Sequence, residues 1–221
     1  QMGRAGEPRQ IASVVKAINQ IPKSEAALKS AIVKSTVEKL TGEAREQFLS
    51  AAAGDAAAVL KQLLTEARQR ALNTELKIEE RVAAIRDLQL ASWQDTSKLL
   101  GELLSLQQPP AVRGAVLTTL GGFDTPAAGS LMIEHWSGLS PTLRRQAAEV
   151  LLSRKAWVNQ LLDSVHEQKI NRADIGPARI ALLKLHPDAK IRERVAVVFA
   201  GNGLQRRQAV VDAYQPALKL A

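Results

Sequence analysis

The stretch Pro110-Ala111-Val112-Arg113-Gly114-Ala115-Val116-Leu117-Thr118-Thr119-Leu120 decides the fold. A proline, with its fixed φ and missing N–H, suits the first turn of a helix. After it, Arg113, Val116, Leu117 and Leu120 fall at i, i+3, i+4 and i+7, one face of a 3.6-residue period. The same register returns as Arg81/Ala84/Ile85/Leu88, Arg144/Ala147/Ala148/Leu151 and Arg192/Val195/Ala196/Phe199. Successive arginines are 32, 31 and 48 residues apart. One helix pair is therefore repeated, with an insertion of about 16 residues before the last copy. Arg45, with Phe48, Leu49 and Ala52, fits as a degenerate fifth copy 36 residues before Arg81.

Turn chemistry divides the chain accordingly. Ser140-Pro141, Asp124-Thr125-Pro126, Gly176-Pro177 and His186-Pro187 read as helix starts, and Gly121-Gly122 and Gly201 as helix stops. The spacing predicts helices over 8–20, 24–40, 43–53, 55–72, 75–90, 93–107, 110–121, 125–137, 141–153, 155–168, 177–185, 187–200 and 203–219, and needs no strand. Residues 1–42 read as an N-terminal helical cap with a polar outer face, as terminal repeats require. Residues 43–200 read as the repeats, with the insertion near 169–186, and 201–221 as a closing helix. The polar run Lys169 to Gly176 is a connector or a contact loop, since insertions in repeat arrays gather on one face.

Composition agrees with an all-α chain. Hydrophobic residues make up 46% and aromatics only 3% of the 221 residues, which suits thin, closely packed helices rather than a β-sandwich. There is no cysteine, which excludes disulfides, thiolate metal ligands and a cysteine nucleophile. No stretch approaches a membrane span, and Gln1 ahead of Met2 reads as the cut end of a longer chain. The net charge of +8 and a pI of about 10.0 raise the question of nucleic acid. The excess is concentrated: residues 140–221 hold 14 Lys/Arg against 7 Asp/Glu, whereas residues 1–139 hold 16 against 15.

The segments Pro110-Ala-Val112-Arg113, Pro141-Thr-Leu143-Arg144 and Pro187-Asp-Ala-Lys-Ile191-Arg192 resemble the opening of the first helix in HEAT repeats. That resemblance, over roughly residues 75–200, implies a right-handed α-solenoid of HEAT-like helix pairs, an α-α superhelix. The acidic residue such repeats place about six positions before the arginine is Gln107, Gly138 and His186 here, and only Glu75 fits. Near the C-terminus, Arg206-Arg207-Gln208-Ala209-Val210-Val211-Asp212-Ala213-Tyr214-Gln215-Pro216-Ala217-Leu218 is similar to the segment closing the HEAT-type region of large bacterial dehydrogenase-like proteins. So is Ser153 to Leu162 through Asp174 to Arg179. In those proteins a β-propeller precedes the helical region and a c-type haem domain follows it. The resemblance implies a non-catalytic scaffold or linker inside a membrane-associated or secreted dehydrogenase, with neighbouring domains or a protein as partner. It further implies a periplasmic or secreted location, no cofactor in this chain and a haem-type domain downstream of residue 221.

The residues themselves offer little chemistry. His135, His166 and His186 are scattered singly, with no metal-ligand spacing, and no phosphate loop or nucleophile elbow occurs. The recurring Arg81, Arg113, Arg144 and Arg192 read as structural positions that cover apolar stems and bond carbonyls of the preceding repeat. Arg145, Arg154, Lys155, Arg194, Arg206 and Arg207 form the candidate basic interaction surface. A competing reading is a basic HEAT-fold nucleic-acid-binding protein resembling DNA glycosylases. In it Trp93 with Asp95, or Trp136 with Glu134, would stack and activate a flipped base, with Trp157 as a further ring.

Overall fold

The computed structural model describes residues 8–40 and 42–200. Every regular element among them is helical. The chain runs through α1 (Pro8–Gln20), α2 (Ala26–Lys39), α3 (Gly42–Ala51), α4 (Gly54–Leu72), α5 (Ile78–Asp87), α6 (Trp93–Leu103) and α7 (Pro110–Leu120). It continues through α8 (Pro126–Glu134), α9 (Pro141–Leu151), α10 (Lys155–His166), α11 (Arg172–Ile175), α12 (Pro177–Lys184) and α13 (Ala189–Val198). The expected helix over 203–219, Gly201, Arg206 and Arg207 lie outside the described residues.

Caps account for the boundaries. The Ser92 hydroxyl accepts from the Asp95 amide and opens α6, and Ser140 accepts from Leu143 to open α9. Thr125 does the same for α8 through the amide of Ala127. Each side chain satisfies one of the amides that a helix start leaves orphaned. Three starts are displaced by two or three residues. The helix expected from residue 24 begins at Ala26, behind a 3-10 turn at Lys23–Glu25. The helix expected from residue 75 begins at Ile78, because Asn73 Oδ1 takes the Glu75 amide at 3.0 Å and holds the chain in a turn. The helix expected from Pro187 begins at Ala189, because Asp188 is the cap, its carboxylate accepting from the Lys190 amide at 2.9 Å.

The chain divides within α10 into two compact units, one up to Trp157 and one from Val158 onward. In the first, α5 packs on α7 and α7 on α9, so alternate helices stack. Their facing residues Ile85, Leu88, Val116, Leu117, Leu120 and Leu151 are fully buried. At its N-terminal end, Ile11, Val15 and Ile18 of α1 share one apolar cluster with Val33, Val37, Phe48, Leu60 and Leu90. Lys29, buried in α2, is neutralised there by Asp55 at 2.6 Å.

The second unit builds its core from Leu161, Leu162, Val165, Leu183, Ile191 and Val195. The polar run at 169–176 is ordered into a connector: Ile170 and Ile175 are buried, and Asn171 caps the short α11. Gly176 has φ of 77°, a left-handed conformation that glycine adopts without a Cβ penalty, and it turns the chain into α12. Leu182 on α12, Leu185 just after it and Val197 on α13 stay largely exposed.

Candidate functional site

The repeated arginines make a ladder of hydrogen bonds to neutral acceptors. Arg81 donates from Nε to the Ala71 carbonyl at 3.0 Å and from Nη2 to Gln108 Oε1 at 2.7 Å. Arg113 donates from Nε to the Leu104 carbonyl at 3.0 Å and from Nη2 to the Gly138 carbonyl at 2.7 Å. Each guanidinium thus closes the end of the helix before its own and reaches the turn that opens the next repeat. Gly138 stands six positions before Arg144, and its carbonyl supplies this acceptor. Arg144 bonds the carbonyls of Trp136 and Ser137, and Arg192 those of His186 and Pro187. Along the series the side chain emerges: Arg81 and Arg113 are buried, Arg144 is half-buried and Arg192 is exposed.

The basic surface residues divide into two kinds. Arg154 is held inside its own unit: it stacks over Trp157 at 4.4 Å, donates to the Gly121 carbonyl at 2.8 Å and pairs with Asp124 at 3.2 Å. Arg194 is bonded to Asn159 and Asp163. Arg145 and Lys155, by contrast, are exposed. Arg206 and Arg207 lie outside the described residues.

The tryptophans are mostly structural. Trp136 is 2% exposed and Trp157 0%, and the Trp157 indole N–H donates to the Thr125 carbonyl at 2.9 Å. Neither presents a face on which a base could stack. Trp93 is half-buried with its ring edge-on to Phe123 at 5.5 Å. Asp95 is occupied in the α6 cap, where its carboxylate accepts from the Ser92 hydroxyl at 2.7 Å. Among the described residues no group of three or more His, Asp or Glu is arranged to hold a metal ion, and no helix is long and apolar enough to cross a membrane.

One polar cavity stands out within the first unit. It has a volume of about 450 Å³ and lies among α2, α3, the end of α5 and the Gly121-Gly122 turn. Arg45, Arg86 and Arg154 line it, with Glu38 and Asp87 as the acidic members. Arg45 is 7% exposed. Its Nη1 and Nη2 reach the carbonyls of Gly122 and Ala91 at 3.4 and 3.3 Å, its plane lies 5.4 Å from the Phe123 ring, and its Nε has no acceptor. Burial lowers the pKa of this guanidinium, only partly opposed by the charge of Glu46.

Sequence reasoning noted Arg45 as a degenerate repeat arginine but not this cavity. Arg86 and Gln89 carry no motif, and the partners of Arg45 lie 46 and 77 residues away. No protein-family model matches the chain, and neither a curated protein nor a solved structure matches it at a significant level.

Proposed function

We propose that this chain is a non-catalytic helical-repeat scaffold, a HEAT-like α-solenoid that holds neighbouring modules of a larger dehydrogenase-like protein, or a docked protein partner, in fixed register. The observation that carries this reading is the arginine ladder. Arg81 and Arg113 each tie a helix end to the following repeat through short bonds, buried at the helix end and part-buried at the next repeat, the nearest-neighbour links on which a stacked repeat array depends. The exposed apolar side chains Leu182, Leu185 and Val197, on and around α12 and α13, favour docking there, since apolar surface left in water marks interaction sites. Arg145 and Lys155, both exposed, are placed to steer an acidic partner, which would raise encounter rates more than affinity.

The test is the polypeptide to which the chain belongs. A Cys-x-x-Cys-His segment in that polypeptide, and release of this region as a folded piece by limited proteolysis, are the expected results; a polypeptide with no further module on either side overturns the linker reading. The nucleic-acid alternative is tested by duplex DNA across a salt series. Several phosphate contacts would make log K fall steeply with log salt; the scaffold reading expects no such binding, in keeping with the burial of Trp136 and Trp157.

A further inference from the structure

Arg45 belongs to the repeat register but not to the ladder. The bonds of Arg113 to its carbonyls are 3.0 and 2.7 Å; those of Arg45 are 3.3 and 3.4 Å, and its Nε is buried without an acceptor. A buried cation is costly unless a counter-charge and well-made hydrogen bonds compensate it. The nearby acids are already engaged or poorly placed to do so. Asp87 is paired with Lys34 at 2.5 Å, Asp124 with Arg154 at 3.2 Å, and Glu38 is exposed to solvent, as is Glu46, whose charge only partly offsets the burial of Arg45. Arg86, on the same cavity wall, is exposed and makes no hydrogen bond or ion pair among the described residues.

We propose that the Arg45 cavity binds a small-molecule oxyanion, a carboxylate or phosphate carried on a partly apolar body. The guanidinium fork of Arg45 matches the two oxygens of either group, and Arg86 is free to swing onto the same anion. Val37, Leu40 and Leu90 supply apolar wall for the rest of the molecule. A volume of about 450 Å³ lies within the range of small-molecule sites. Gly122 makes room for Gln89 on this wall: a Cβ there would fall 1.1 Å from Gln89 Nε2, so the Gln89 side chain occupies the space a larger residue would take. This inference does not depend on the scaffold reading; a ligand-gated scaffold and a simple metabolite-binding domain would both contain such a site.

The experiment is a titration of the whole chain with pyrophosphate and, separately, with benzoate, each against sodium chloride of equal ionic strength, following the arginine Nε–Hε cross-peaks by NMR. The Arg45 peak, assigned by its loss in Arg45→Lys, is expected to shift saturably with at least one probe. Saturation by pyrophosphate alone assigns a phosphate site, and saturation by benzoate alone a carboxylate site. Arg86→Gln, at an exposed side chain, is expected to weaken the affinity about tenfold. Should Arg45→Lys fail to fold, the saturable shift and its weakening in Arg86→Gln carry the test. Shifts that follow chloride equally, or saturable binding that is unchanged in Arg86→Gln and maps to Arg145, overturn the proposal.

Discussion

Arg113 and Arg45 are the same residue type at the same register position, equally buried with only 6% and 7% of their surface exposed, yet they do opposite things. Arg113 is compensated by two neutral carbonyls at good distance and acts as a clamp between repeats. Arg45 is held loosely, with a buried Nε facing no acceptor, and borders a cavity. The difference lies in what the following turn offers. The turn that opens the next repeat after Arg113 presents the Gly138 carbonyl directly to Nη2, whereas Arg45 follows Gly42 on α3 and spans to loops 46 and 77 residues ahead. A repeat position becomes structural only when its acceptor repeats with it.

The sharpest way to break this contrast is mutation within the ladder's own packing. Leu120→Ala removes a fully buried side chain of the Arg113 copy and is expected to cost about 2–5 kcal/mol by urea unfolding. Arg113→Met is expected to cost about 3 kcal/mol, because it strands the Leu104 and Gly138 carbonyls. Arg45→Met should change stability by less than about 1 kcal/mol in either direction, since it replaces an under-compensated buried charge by an apolar chain of similar length. Equal losses for Arg113→Met and Arg45→Met would erase the distinction. Arg192→Met, exposed at the end of the series, should cost only about 0.5 kcal/mol.

Much of the fold was legible in the sequence for a simple reason. Proline at the first turn and apolar residues at i+3, i+4 and i+7 are local signals, and they marked α7, α9 and α12 closely, with Gly121 stopping α7; α8 starts at its Pro126 but ends three residues short, at Glu134. Where local polar side chains offered an alternative, as at Asn73 and Asp188, the helix start moved by two or three residues. The ladder was only half legible. Its arginines stand out by type and spacing, but carbonyl acceptors have no sequence signature, so the missing acidic residues gave no hint that Gly138 and Gln108 serve in their place. The intramolecular partners of Arg154 and Arg194 had no sequence signature either. Nothing in a run of charges shows that one guanidinium covers Trp157 and another pairs with Asp163 thirty-one residues away.

The claim that the repeats are locked to one another through neutral acceptors is tested most directly at Arg81 and Gln108, where both partners are side chains and the bond is 2.7 Å. A double-mutant cycle of Arg81→Met and Gln108→Leu, read by denaturant unfolding, isolates that single link between repeats. A coupling of about 1–2 kcal/mol is the predicted result. Single losses that add to within about 0.3 kcal/mol would contradict it.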